Sequence, residues 1–148
     1  MEPDTYRAIV QGLLRTARTI AVVGASETPG KASHRVTLYL MRAGFDVYPV
    51  NPAFKELGGR PVYPDLKSIP PGVKMDIVDI FRKSDAVLPI VEDAIAIGAR
   101  AVWMQEGIVN EEAAARARAA GLAVIMDHCI MKEHRRMMGL PAEEPGNR

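Results

Sequence analysis

Five short apolar runs alternate with stretches whose apolar residues recur every three or four positions, and this alternation organises most of the chain. The runs are residues 19–23, 45–50, 75–81, 99–104 and 122–126. Short, mainly apolar runs of this length read as strands, and residues 19–23, stopped by Gly24, read as one buried on both faces. Between the first two runs, Val36, Tyr39, Leu40 and Ala43 form one face of a helix, opened by Ser33 and ended by Gly44. Val87, Ile90, Val91, Ala94 and Ile95 form the face of a second, which starts at Ser84 or Asp85 and stops at Gly98. Asn110 caps a third over residues 111–120, with Gly121 after it. Tyr6, Ile9, Val10, Leu13, Leu14 and Ala17 make an earlier amphipathic helix capped by Asp4. A last helix spans residues 130–138, stopped by Gly139 and Pro141.

Strands that alternate with helices pair in parallel through right-handed crossovers, with helices on both faces. The expectation is an α/β, Rossmann-like three-layer fold with a five-stranded parallel sheet in the order 3-2-1-4-5. That order puts the ligand crevice at the carboxyl ends of strands one and four, where the winding reverses. Residues 51–73, rich in Pro and Gly, are expected to wander over the surface. One domain over residues 1–140 and a disordered tail over 141–148 complete the reading.

At 148 residues the chain is long enough for one buried core. Its 19 basic and 18 acidic residues nearly cancel, so neither nucleic acid nor a membrane surface is an expected partner. No run approaches the roughly 20 apolar residues needed to span a bilayer. The start, Met-Glu-Pro-Asp, has no signal-peptide character, and lone Cys129 makes no internal disulfide. A cytoplasmic protein is expected; a protein partner or homodimer stays open.

Gly24 sits where the first strand turns toward the first crossover helix. A glycine there lets backbone amides approach a phosphate, and the helix N-terminus adds free N–H groups and a positive dipole end. Ser26, Lys31, Ser33, His34 and Arg35 add donors or charge nearby. The plain alternative is a turn glycine of the kind every such crossover uses. The loop is not the dinucleotide fingerprint, because Gly24-Ala25-Ser26 lacks the second glycine and Asn51-Pro52 stands where an acidic residue holds a ribose. It is not a Walker A loop either, since Lys31 is followed by Ala32. NAD(P) binding and nucleotide hydrolysis both lose ground.

The segments VVGAS (22–26), PVNP (49–52), VDIFR (78–82), WMQEGI (103–108) and DHCIMKEH (127–134), in this order and spacing, carry a family likeness. Together they resemble the coenzyme A-binding domain at the N-terminus of the succinyl-CoA synthetase alpha subunit. They resemble more closely the small bacterial and archaeal proteins made of that domain alone. The resemblance implies coenzyme A, or an acyl derivative, as ligand of a stand-alone carrier, sensor or regulatory module. It implies that Gly24, Ala25 and Ser26 hold the phosphate-rich end. Pro52 to Lys55 would border the adenosine, and Phe81, Arg82, Met104, Gln105, Glu106 and Gly107 would line the remaining crevice. Arg82 has the planar fork that suits phosphate oxygens. Phe81 fits either core or stacking, and Glu106 fits a hydroxyl or amide donor better than phosphate. The synthetases carry their phosphorylated histidine in a second domain, so synthetase activity is not expected of this chain.

Asp127, His128 and Cys129 are consecutive, and consecutive strand residues point to opposite faces, which argues against a triad. His128, Cys129, Glu133 and His134 match no common zinc spacing. In the synthetases an Asn-Cys-Pro stretch near the coenzyme A thiol corresponds to His128-Cys129-Ile130. A following helix N-terminus would lower the Cys129 pKa and favour thiol or acyl chemistry, including a mixed disulfide with coenzyme A. A buried, inert cysteine is the competing reading.

Overall fold

The computed structural model describes residues 3–144. Helix α1 (Pro3–Thr16) leads into strand β1 (Thr19–Val23), α2 (Ala32–Arg42) and β2 (Asp46–Val50). A small hairpin of β3 (Glu56–Leu57) and β4 (Arg60–Pro61) and a 3-10 turn at Leu66–Ser68 follow. Then come β5 (Ile77–Ile80), a 3-10 turn at Ser84–Ala86, α3 (Val87–Ala96), β6 (Ala101–Met104), α4 (Glu111–Ala119), β7 (Ala123–Ile125) and α5 (Ile130–Met137). Asp4 lies inside the first turn of α1. No helix among the described residues is long and apolar enough to cross a membrane.

The α/β class and the five-stranded parallel sheet stand as expected; the strand order does not. The sheet runs β2-β1-β5-β6-β7, which is 2-1-3-4-5 in terms of its own strands. The third strand inserts beside the first, so the second lies at the edge. Two residue-level features account for this. Pro49 in β2 has no N–H for a ladder on a second side, which suits an edge strand. All four residues of β5 are buried, as a central strand requires. The winding therefore reverses between β1 and β5, and the crevice belongs at their carboxyl ends rather than at those of strands one and four.

Alternating side chains of each strand feed two cores. Ile20 and Val22 of β1 pack with Val10, Leu14, Leu40 and Met131 of α1, α2 and α5. Ala21 and Val23 pack on the other face with Val87, Val91, Ala113 and Ala117 of α3 and α4. Right-handed crossovers running in opposite directions from the switch point impose this allocation.

Residues 51–73 are less loose than expected. Leu57 and Val62 enter one core, Leu66 and Ile69 the other, and Tyr63 forms a bridge with Val50 beside the exposed edge of β2. Asn110 does cap α4, accepting from the Ala113 amide at 2.9 Å. Ser33 does not cap α2. Lys31 holds the N-cap position without a side-chain bond, and Ser33 is buried in the first turn. Pro141 to Glu144 fold back, with Arg135 Nε donating to the Pro141 carbonyl and Glu144 paired to Arg42 at 2.7 Å. The rest of the expected tail, residues 145–148, lies outside the described residues.

Candidate functional site

The loop after β1 is held by its own polar groups. Gly24 has φ +90°, and a Cβ there would lie 2.6 Å from the Phe81 carbonyl oxygen. Its lack of a side chain thus lets β1 and β5 meet closely at the switch point. The Gly24 amide donates to the Val50 carbonyl at 3.0 Å. Asn51 clasps the neighbouring turn: its amide group donates to the Ala25 carbonyl and its oxygen accepts from Ala53 N–H, both at 2.8 Å. Ser26 Oγ accepts from the Thr28 amide, and His34 Nδ1 donates to the Ser26 carbonyl at 2.8 Å. Arg35 is different. Its Nε–H is buried and has no hydrogen-bond partner, a costly state for a charged group unless an acceptor arrives.

Three cavities open along the carboxyl edge of the sheet. One of about 210 Å³, on the α3 side, is walled by Gly24, Asn51, Pro52, Leu66 and Arg82. A second of about 190 Å³, on the α2 side, is walled by Arg35, Phe81, Gln105, Cys129 and Lys132. Phe81 and Arg82, adjacent in the chain at the end of β5, stand one in each. The third, about 610 Å³, lies between α1 and α5 and shares Glu106, Cys129 and Lys132 with the second. The two small cavities thus lie on either side of the chain as it leaves β5, an arrangement that suits an elongated ligand laid over the edge.

The electrostatics divide these walls. Lys132 pairs with Glu106 at 3.0 Å, and that bond raises its pKa. Burial pushes the Cys129 thiol up, against the lowering expected from its place at the start of α5. Only about 7% of Cys129 is exposed, and Gln105 accepts from the Ile130 amide beside it at 3.1 Å. Asp127 and His128 lie beyond the end of β7, with Asp127 at φ +63°, so the strand argument against a triad is replaced by their bonding. Asp127 accepts from the Gly107 amide at 2.6 Å. His128 Nδ1 lies 2.9 Å from both the Tyr6 hydroxyl and the Met126 carbonyl. A carbonyl only accepts, so Nδ1 carries a proton and shares it between the Met126 carbonyl and the Tyr6 oxygen. Burial pushes Tyr6 up to about 12, so its hydroxyl stays protonated.

Of the residues singled out from the sequence, Gly24, Asn51, Pro52 and Arg82 meet around the first cavity. Arg35, Phe81, Gln105 and Glu106 meet around the second. Lys31 and Lys55 are exposed and line neither. The side chains of Ala25 and Met104 are wholly buried in the two cores, so only their backbones face the edge. Sequence reasoning missed Tyr6 and Arg7 on α1, Arg136 on α5, and Asp79 in β5. Asp79 carried the one available signal, a carboxylate flanked by Ile77, Val78 and Ile80 in the middle of a strand.

The family profile described as CoA binding domain matches residues 18–135. The uncharacterized protein YneT of Bacillus subtilis is 37% identical over 128 residues, covering 86% of this chain and 93% of that protein. The solved structure of a hypothetical protein from Pyrococcus horikoshii is similar with a TM-score of 0.85 at 40% identity, covering 90% of this chain and 92% of that one. The ADP-forming acetate–CoA ligase I of Archaeoglobus fulgidus is 35% identical over 66 residues, 45% of this chain. That match spans 10% of the ligase.

Proposed function

The chain belongs to the CoA binding domain family, and from that premise we propose that it binds coenzyme A or an acyl-coenzyme A across the carboxyl edge of its sheet, as a stand-alone binding module. The observation that carries the reading is the buried, unpartnered Nε–H of Arg35 in the wall of the second cavity. A ligand rich in phosphate and amide oxygens supplies the acceptor that this donor lacks. Arg82, exposed in the wall of the first cavity, offers the second fork for a phosphate. The reading assigns binding and no bond-making step. Chemistry at Cys129 is not favoured, because its thiol is buried and held in the protonated form. NAD(P) is not favoured either, because Asn51 spends its side chain on the backbone where that cofactor needs a ribose-binding carboxylate. The cytoplasm is the compartment that suits such a module.

Thermal shift with coenzyme A, acetyl-CoA, NAD, NADP and ATP at equal concentration tests this. Coenzyme A should raise the melting temperature most; at a hundredfold excess over Kd the gain is about 2.7 kcal/mol. Arg35→Gln should weaken binding by about 1.5–3 kcal/mol, the range for a hydrogen bond to a charged group. A shift with NAD and none with coenzyme A would overturn the reading. Unchanged affinity in folded Arg35→Gln removes Arg35 from the site.

A further inference from the structure

The cavity that holds Arg35 opens between two neighbouring helices and is also lined by the end of the chain. Helix α2 supplies Ala32, Arg35 and Val36, α5 supplies Met131 and Lys132, and Glu143 comes from the segment that follows α5. That segment is tied to both helices. The Leu140 amide donates to the Arg135 carbonyl at 2.8 Å and Arg135 Nε donates to the Pro141 carbonyl at 2.7 Å, which turns the chain back along α5. Glu144 then reaches Arg42 of α2 at 2.7 Å, while Glu143 stands 3.5 Å from Lys132 Nζ. Residues 141–144 thus form a strap from α5 to α2, the two helices between which the cavity lies.

The strap brings a carboxylate to a wall that carries an unsatisfied cation. The charged side chains of this cavity are Arg35, Lys132, Glu106 and Glu143, two of each sign. Arg35 Nε–H has no partner, whereas Lys132 is held by both carboxylates, at 3.0 Å from Glu106 and 3.5 Å from Glu143. The two carboxylates are not equally fixed. Glu106 sits in the turn after β6, which the bond from the Gly107 amide to Asp127 pins at 2.6 Å. Glu143 sits in the strap, whose two ion pairs each have a partner more than half exposed. Exposed pairs contribute little, so the strap lifts at small cost and Glu143 is the carboxylate that can leave.

We propose that residues 141–144 are an autoinhibitory strap: Glu143 engages Lys132 in place of a ligand phosphate, and coenzyme A binds by displacing it. The inference rests on the coenzyme A reading above and concerns the regulation of that same site. No covalent step is involved. Without the Glu143 charge the wall has one net positive charge and Lys132 keeps a single partner. The competing pair is partly exposed, so its removal is worth no more than about a fivefold gain in affinity, and salt screens that gain.

Equilibrium binding of coenzyme A to full-length wild type, Glu143→Gln, Lys132→Gln and the double variant tests it. Glu112→Gln, on α4 at the other face of the sheet, controls for net charge. Glu143→Gln should bind coenzyme A about three- to fivefold more tightly than wild type at low salt, with the ratio falling toward one at high salt. Glu112→Gln should match wild type, and on the Lys132→Gln background Glu143→Gln should bring no further gain. Unchanged or weaker binding by folded Glu143→Gln, an equal gain in Glu112→Gln, or a gain that persists without Lys132 overturns the inference while leaving coenzyme A binding intact. If neither wild type nor Glu143→Gln binds coenzyme A, the parent reading falls and this inference with it.

Discussion

Asp79 is wholly buried in β5, between Val22 of β1 and Trp103 of β6, and neither of its carboxyl oxygens has a partner. Burial alone raises its pKa well above the usual 3.8, so the acid stays neutral where the unfolded chain would ionise. The folded state then holds a proton that the unfolded state releases. Stability is fully present below about pH 3.8 and is lost as pH rises toward the folded pKa. Asp79→Asn removes that dependence. Its unfolding free energy relative to wild type should climb from pH 4 to pH 7, at a limiting rate of about 1.4 kcal/mol per pH unit, and its relative melting temperature should climb with it. A relative melting temperature that does not change with pH would show that Asp79 is not buried neutral. Gly24 makes the opposite point at the same scale. The sequence marked it for close approach to a ligand, whereas the nearest neighbour of a Cβ there is the Phe81 carbonyl oxygen. One glycine is legible as a turn, but what it turns against is set by a strand more than fifty residues away.

Helix α5 joins the site to the core. Ile130, Met131 and His134 face inward, while Lys132, Glu133 and Arg136 line the large cavity. His134 packs edge-on against Phe45, and its Nδ1 lies 2.7 Å from the Tyr39 hydroxyl. Burial lowers its pKa below 6.5, because the imidazolium is poorly solvated there. For a base with a depressed folded pKa, stability is present above 6.5 and is lost as pH falls through the folded value. Unfolding followed from pH 7.5 to pH 5 should therefore show wild type losing ground against His134→Gln, which titrates nowhere in that window. A constant difference between the two would place the acid sensitivity elsewhere. The helix itself was legible, since its apolar positions and stop at Gly139 are local features. That His134 faces the core and His128 a cavity was not, because both depend on what α1 and α2 bring to them.

At the scale of the whole molecule, the strand order decides where a ligand can lie. The two candidate orders predict different edges: strand three in 3-2-1-4-5, and strand two in the order found. Hydrogen exchange should find β1 and β5 the most protected, flanked on both sides, with β2 and β7 opening first. Protection of β2 equal to that of β5 would contradict the arrangement. The alternation of apolar runs with amphipathic stretches determined the α/β class, the parallel pairing and most element positions, because periodicity is a local property of consecutive residues. It also brought Gly24, Asn51, Pro52 and Arg82 to one end of the sheet, since each follows a strand. It left the order open, because either arrangement satisfies right-handed crossovers, and Pro49 was the one residue that spoke for the edge. The cavity between α1 and α5 was decided by tertiary structure alone. Its walls are closed by contacts such as Tyr6 to His128, 122 residues apart, and no pattern along the chain encodes which two helix faces will meet.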